Sequence, residues 1–172
     1  MSAGPELPAG AADPELPAGA AEPELRAASA ADLDALHALE TRLFASDAWS
    51  RSMLREELTG ELRSYVVLAD PETGAVLGYA GVLTVGTEAD IQTIAVVPEL
   101  RGRGQGRRLM RQLLATAAQA GAREVFLEVR ADNPVARGLY DSLGFAEIGV
   151  RPRYYQPDGV DAIVMRHELK DT

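Results

Sequence analysis

The sequence predicts an α/β protein with a mixed central β-sheet, and three patterns support this prediction. A β-branched run at 90–97 is followed by a glycine-rich loop, an amphipathic helix and a second apolar strand at 124–129. Such a series predicts a right-handed parallel crossover. Upstream, two apolar runs around a turn containing Pro and Gly predict an antiparallel hairpin. With 172 residues, 47% of them apolar, the chain can build one core and one domain.

The first 24 residues have a different composition. A nine-residue near-repeat runs through Pro5–Asp13 and Pro14–Glu22. This segment carries five acids and no base, so the rest of the chain holds 21 acids against 17 bases, within a formal net charge of -9. Its prolines prevent a long helix and its leucines are too sparse for a core. We therefore predict a disordered acidic Pro/Ala-rich tail at 1–24 and a folded domain at 25–172.

Two helices are predicted next. Ser29-x-x-Asp32 is typical of a capping box, and an apolar stripe at helical spacing follows over 33–44, interrupted by the polar Glu40. A short second helix is expected to start near Ser50 or Ser52. The hairpin strands then lie at 64–69 and 75–83.

The loop Arg101–Gly106 (Arg-Gly-Arg-Gly-Gln-Gly) is the feature that points most directly to a ligand. Alternating glycines allow the backbone to approach an anion, and the N-terminus of the following helix directs N–H groups and a positive dipole toward it. The loop matches neither the P-loop nor the dinucleotide-binding pattern, because Arg107 and Arg108 follow the last glycine. We interpret it as a phosphate-binding loop; the alternative is a solvent-exposed turn.

The C-terminal part completes the predicted sheet. The helix after the loop ends at Gly121, a strand follows at 124–129, and a short helix at 134–143 ends at Gly144. Two last strands at 145–150 and 162–167 are expected to pair antiparallel. The prediction is thus a sheet of about six to seven strands flanked by about four helices.

Composition excludes several classes of function. The chain has no cysteine and two histidines, which argues against disulfides, thiolate nucleophiles, a metal site and a Ser-His-Asp triad. The acidic charge disfavours direct nucleic-acid binding. No apolar run reaches the roughly 20 residues of a membrane helix, so we expect a cytoplasmic protein that makes no membrane contact.

Glu128 is unusual for its position. Alternation along the strand places it with Phe126 on one face, opposite Val125, Leu127 and Val129. A central strand is normally covered on both faces, so a carboxylate there needs a partner or a chemical role. The alternatives are an ion pair with Arg130 or a position beyond the covered part of the strand.

Two residues near the last predicted helix also have two interpretations. Tyr140 shares a helical face with apolar residues, so it is either a core aromatic or a functional phenol. Asn133 precedes Pro134 and is a good N-cap, but it could equally hydrogen-bond a ligand near the phosphate-binding loop.

In combination these residues resemble those of a known family. The resemblance spans residues 25–169, and its motifs are Ile94–Pro98, the R-x-x-G-x-G loop, Phe126–Asn133, Gly138–Phe145 and Arg153–Tyr155. They resemble the GNAT superfamily of acetyltransferases, and more narrowly the RimI-type enzymes that acetylate the N-terminal alanine of a small-subunit ribosomal protein. The loop specifies only the superfamily, whereas the later motifs are narrower.

The resemblance implies a GNAT-like fold, acetyl-CoA as co-substrate, no metal, the N-terminal peptide of a ribosomal protein as partner, and a monomer or weak dimer. It implies that Glu128 is the general base and Tyr140 the acid that protonates the departing thiolate. Two features depart from the family pattern: the acidic tail, and Gln105 where an apolar residue is commoner. The implied cofactor-binding residues are Ile94, Ala95, Val96, Arg101, Gly102, Arg103, Gly104, Gln105, Gly106, Arg107 and Asn133. The implied acceptor-binding residues are Trp49, next to Ser50, and Tyr154 and Tyr155.

The chemistry is consistent with these roles. Amide formation needs a neutral amine, and an α-amine has a pKa of about 7.8 against about 10.4 for lysine. A tyrosine with a pKa of about 10 can protonate a thiolate whose conjugate acid has a pKa of about 8.5. The absence of cysteine favours direct attack over an acyl-enzyme. Two alternatives stay open: acetylation of a small amine such as a polyamine or aminoglycoside, and a non-catalytic acyl-CoA-binding module.

Overall fold

The computed structural model describes residues 21–44 and 48–170. Within them, one seven-stranded sheet with the strand order β1-β2-β3-β4-β5-β7-β6 is flanked by four α-helices, as the sequence predicts. The strands are β1 Glu24–Ala27, β2 Arg63–Ala69, β3 Val76–Val85, β4 Glu88–Val96, β5 Glu124–Arg130, β6 Ala146–Tyr155 and β7 Val160–Glu168. The helices are α1 Leu33–Phe44, α2 Arg51–Thr59, α3 Gln105–Gln119 and α4 Pro134–Ser142.

The sheet is mixed because β4 and β5 run parallel, whereas the other neighbouring pairs are antiparallel. The phosphate-binding loop and α3 connect these two strands, so the parallel arrangement of the predicted crossover is confirmed, and the loop follows the carboxyl end of β4. Ligands of α/β proteins usually bind at this end of the strands.

The helix starts follow from their caps. The backbone N–H of Ser29 donates to the Asp32 carboxylate over 2.8 Å, closing the capping box ahead of α1. Ser50 caps α2, because its hydroxyl accepts from the backbone N–H of Met53. Backbone N–H groups at the start of a helix have no acceptor within the helix, and these side-chain oxygens supply one. The caps therefore fix where both helices begin.

Strand β1 is an addition to the predicted elements. Glu24 lies in β1 rather than in the predicted tail, and it pairs with Ala69 of β2. Pro23 is buried, and its carbonyl accepts a hydrogen bond of 2.6 Å from Arg108 of α3. Residues 1–20 of the predicted tail lie outside the described residues.

The last two strands are longer than predicted. The ladder of β6 with β7 continues beyond Val150 through an irregularity between the pairs Arg151–Ala162 and Tyr155–Val160. Arg153 lies in this irregularity with a φ of 54°, and its N–H donates to the Asp161 carboxylate over 2.9 Å. The extension carries the Arg153–Tyr155 motif along the sheet.

Candidate active site

The site is centred on a divergence between β4 and β5. These strands pair over three residues, Glu88–Asp90 with Glu124–Phe126, and their ladder then ends. On its other side, β4 stays paired with β3 as far as Val96. The edge of β4 at 91–96 therefore has no strand partner on the β5 side, which leaves a gap that leads toward the phosphate-binding loop. Ile94, Ala95 and Val96 lie on this edge with buried side chains.

The phosphate-binding loop has the backbone geometry of an anion cradle. Gly102 and Gly104 have φ values of 75° and 79°, in the left-handed region that favours glycine. Gly104 is the N-cap of α3 and supplies no capping side chain. A Cβ built on Gly104 would meet no atom within 4 Å, so an anion has room to approach the turn. Gly106 and Arg107 follow in the first turn of α3.

The side chains of the loop take different directions. Arg101 donates to the carbonyl of Val96 over 3.3 Å, and Arg107 to the hydroxyl of Ser142 on α4 over 2.8 Å. Gln105 is buried and accepts from Arg108, while Arg103 is exposed. Gln105 thus helps to orient Arg108, which connects α3 to Pro23.

Glu128 projects from the face of the sheet that also carries Tyr65 and α2. Its side chain is 12% exposed, and its Oε1 lies 3.2 Å from Nε of Arg151. The Tyr154 hydroxyl donates to Oε2 over 3.0 Å. Burial and the charge of Glu128 raise the pKa of Tyr154 to about 12, so this phenol stays protonated as a donor. Both partners stabilise the negative charge of the carboxylate.

The alternative prediction that Glu128 forms an ion pair with Arg130 is wrong. Arg130 instead forms ion pairs of 3.0 Å with Asp132 and with Asp158, and its guanidinium lies 5.2 Å from the centre of the Tyr155 ring. The antiparallel strands β7 and β6 bring Arg151, distant in sequence, to Glu128.

Asp90 is a second carboxylate of this region that the sequence did not single out. It is paired with Phe126, so it lies on the same face of the sheet as Glu128. Asp90 is half-buried, and its pKa is raised, first by burial and then by the negative charges of Glu128 and Glu88. The parallel register of β4 and β5, which places the two acids on one face of neighbouring strands, could not be read from the sequence.

Tyr140 lies across the sheet from Glu128. It is 3% exposed on α4, and its ring contacts Phe145 edge-to-face with a centroid distance of 6.0 Å. Phe145 in turn stacks on His167, which pairs with Val125 on the face opposite Glu128. The carboxylate and the phenol thus lie on opposite faces of the sheet.

Asn133 is the N-cap of α4, as predicted. Its side chain is 3% exposed, and Oδ1 accepts from the backbone N–H of Ala136 over 3.1 Å. This bond fixes the start of the helix that carries Tyr140.

The predicted acceptor residues lie in two places. Trp49 is 4% exposed and lies just before α2, where it packs with Leu33, Leu54 and Tyr65. It therefore belongs to the buried cluster beneath α2. Tyr154 and Tyr155 lie at the end of β6, with ring centroids 5.2 Å apart. Tyr154 contacts Glu128, whereas Tyr155 is buried beneath Arg130.

Glu40 is a buried carboxylate behind Trp49. It is fully buried on α1, and its Oε1 accepts from the backbone N–H of Trp49 over 3.1 Å. Its Oε2 has no hydrogen-bond partner among the described residues. Burial raises the pKa of Glu40 to about 7. The sequence showed Glu40 only as an interruption of an apolar stripe.

Two further findings concern metals and membranes. In the described part of the chain, no group of three or more His, Asp or Glu side chains is arranged to hold a metal ion. No helix there has the length and apolarity needed to cross a bilayer.

Comparison with known proteins extends these observations. The model of the Acetyltransferase (GNAT) family matches residues 32–145. An uncharacterized protein of Mycobacterium leprae is 43% identical over 145 residues, which cover 81% of this chain and 39% of that longer protein. The N-alpha-acetyltransferase RimI of Mycobacterium tuberculosis is 40% identical over 146 residues, covering 82% of this chain and 89% of that protein.

A solved structure shows the same fold. The crystal structure of the ribosomal-protein-S18-alanine N-acetyltransferase from Escherichia coli is similar with a TM-score of 0.78 and 32% identity, covering 87% of this chain and 96% of that one. The chain therefore belongs to the acetyltransferase (GNAT) family and is a homologue of the bacterial RimI-type ribosomal-protein alanine N-acetyltransferases.

Proposed function

We propose that this protein transfers the acetyl group of acetyl-CoA to the α-amine of an N-terminal alanine, with a small-subunit ribosomal protein as the acceptor. The names of the relatives from Mycobacterium tuberculosis and Escherichia coli support this assignment. The main observation in support of this function is the position of Glu128 beside the divergence of β4 and β5. The phosphate-binding loop lies at the end of the same gap.

The residues present suit acetyl-CoA. The backbone amides of Gly102–Arg107 would hold its diphosphate, because left-handed glycines and the N-terminus of α3 form an anion cradle there. The edge of β4 at Ile94–Val96 would pair with the amide groups of its pantetheine arm, in the place that a strand would otherwise take. When bound, acetyl-CoA supplies an activated acyl group as a thioester.

Glu128 and Tyr140 then have complementary roles. Glu128 accepts a proton from the attacking nitrogen, directly or through one water, while Arg151 and Tyr154 hold its carboxylate in place. Tyr140 donates its phenolic proton to the departing thiolate from the other face of the sheet. Because the chain contains no cysteine, the amine attacks the thioester directly.

An N-terminal α-amine suits this site better than a lysine amine. Its pKa is lower by roughly 2.6, so deprotonation costs on the order of 3.5 kcal/mol less. Tyr154 would contact the peptide directly, whereas the buried Trp49 and Tyr155 would support the walls of its path through packing. The cytoplasmic location and the monomeric or weakly dimeric state stay predictions.

The test uses two peptides that contain the same internal lysine. One begins with a free alanine, and in the other the α-amine is already blocked. After incubation with acetyl-CoA, tandem mass spectrometry should locate acetyl on the α-nitrogen of the first peptide and find no product with the second. Acetylation confined to lysine, or activity only on polyamines or aminoglycosides, would refute the proposed substrate. Tight cofactor binding with no turnover on any amine would favour the non-catalytic module.

A further inference from the structure

The protonation state of the acceptor amine sets how many protons it must lose during the reaction. An α-amine with a pKa of about 7.8 is mostly protonated at pH 7, and only about one molecule in seven is neutral. A protonated amine loses one proton before it can attack and a second one before the amide is complete. A single carboxylate that keeps the first proton cannot accept the second.

Two carboxylates lie at the divergence of β4 and β5, where the acceptor amine is proposed to react. Asp90 is paired with Phe126, and Glu128 lies two residues further along β5 on the same face. Both side chains therefore lie on one face of neighbouring strands, and the negative charge of Glu128 acts on Asp90. Asp90 is in the last pair before the strands diverge, so both acids border the gap.

The two acids differ in their surroundings. Glu128 is held by Arg151 and Tyr154, which stabilise its charged form. Burial and the negative charges of Glu128 and Glu88 raise the pKa of Asp90, while the positive charge of Arg151 lowers it by less. A raised pKa makes Asp90 a better proton acceptor than an ordinary aspartate.

We propose that Asp90 is a second catalytic residue, which takes the first proton from the acceptor's ammonium group and leaves Glu128 free to take the second. This inference rests on the proposed function and extends it to the protonated form of the substrate. It also assigns Asp90 a role in recognising the positive charge of the N-terminus.

Each proton in this reaction has a defined donor and acceptor. The ammonium group gives one proton to the Asp90 carboxylate and becomes a neutral amine. The nitrogen lone pair forms the C–N bond, Glu128 takes a proton from that nitrogen, and the C–S bond breaks as Tyr140 gives its proton to the thiolate. Asp90 and Glu128 then release their two protons to solvent, and solvent returns one proton to Tyr140. The net change is one amide, one thiol and one proton released.

The test is the pH dependence of kcat/KM for an alanine-initiated peptide in Asp90→Asn. We expect roughly a 10-fold loss at pH 7, where most of the acceptor is protonated, and a loss of no more than about twofold at pH 9, where most of it is neutral. Asp90→Glu should recover much of the activity at pH 7. An aminooxyacetyl peptide, whose terminal amine is neutral at pH 7, should be acetylated by Asp90→Asn about as fast as by the wild type.

The controls separate this role from a structural one. Glu72→Gln removes an exposed carboxylate from the β2–β3 turn and should change kcat/KM less than twofold. Calorimetry should show that Asp90→Asn binds acetyl-CoA as the wild type does. A loss in Asp90→Asn that is equal at pH 7 and pH 9 and on both acceptors, or no loss at all, would overturn the inference. A wild type inactive on alanine peptides would instead refute the proposed function.

Discussion

The phenolic hydroxyl of Tyr154 donates to Oε2 of Glu128 over 3.0 Å, joining the end of β6 to the middle of β5. The guanidinium of Arg151 lies 5.6 Å from the centre of the Tyr154 ring and contacts Oε1 of the same carboxylate. Glu128 is therefore oriented by two residues from one strand, and the Arg153–Tyr155 motif helps to position the proposed base.

Tyr154→Phe removes this hydrogen bond and keeps the ring. Because Glu128 would then be held by Arg151 alone, we expect kcat to fall by roughly 10-fold, in line with the loss of one hydrogen bond to a charged group. The affinity for acetyl-CoA, measured by calorimetry, should stay the same. An unchanged kcat would show that Tyr154 does not position Glu128.

Glu128→Gln and Tyr140→Phe test the two proposed catalytic roles. Each change removes a proton-transfer group with little change in shape, so each should lower kcat by roughly 100-fold or more. Acetyl-CoA binding should be nearly unchanged, because neither residue belongs to the phosphate-binding loop. Full turnover in either variant, measured by thiol release, would contradict the role assigned to that residue.

Gly104→Ala tests the phosphate-binding loop. Its left-handed φ of 79° costs an alanine about 1 kcal/mol, and the added Cβ would occupy the space into which the diphosphate is proposed to fit. We expect acetyl-CoA to bind roughly 10-fold more weakly.

Gly74→Ala is the matched control for this substitution. Gly74 has a φ of 75° in the β2–β3 turn, and its Cβ would also meet no atom within 4 Å. The two variants should lose similar stability, and Gly74→Ala should bind acetyl-CoA normally. Equal affinities of both variants would contradict the proposed position of the diphosphate.

Glu40 should make stability depend on pH. Its pKa is about 7 in the folded protein against 4.5 as its ordinary value, so the folded state retains a proton that the unfolded state loses. The stability that this group contributes is fully present below about pH 4.5 and is lost as pH rises through about 7. The full difference corresponds to on the order of 3 kcal/mol.

Glu40→Gln should remove this dependence. A glutamine oxygen can still accept from the backbone N–H of Trp49, and its amide group would replace the Oε2 that has no partner among the described residues. Urea unfolding should show that the variant gains stability over the wild type between pH 5 and pH 8. A constant difference across that range would show that Glu40 does not titrate there.

The elements and the phosphate-binding loop could be predicted because their signals are local. Caps at Ser29, Ser50 and Asn133 and the glycines around α3 are read within a few residues. Asp90 and the partners of Glu128 depend instead on which strands are neighbours. Asp90 shares a face with Glu128 through a parallel register, and Arg151 reaches Glu128 across β7. Neither relation leaves a local pattern.

The most direct test is a crystal structure with coenzyme A linked covalently to the α-nitrogen of an alanine-initiated peptide. We expect the diphosphate on the amides of Gly102–Arg107, the sulfur within hydrogen-bonding distance of the Tyr140 hydroxyl, and the nitrogen within one water of the Glu128 carboxylate. A diphosphate bound elsewhere, or a nitrogen remote from Glu128, would contradict this expectation.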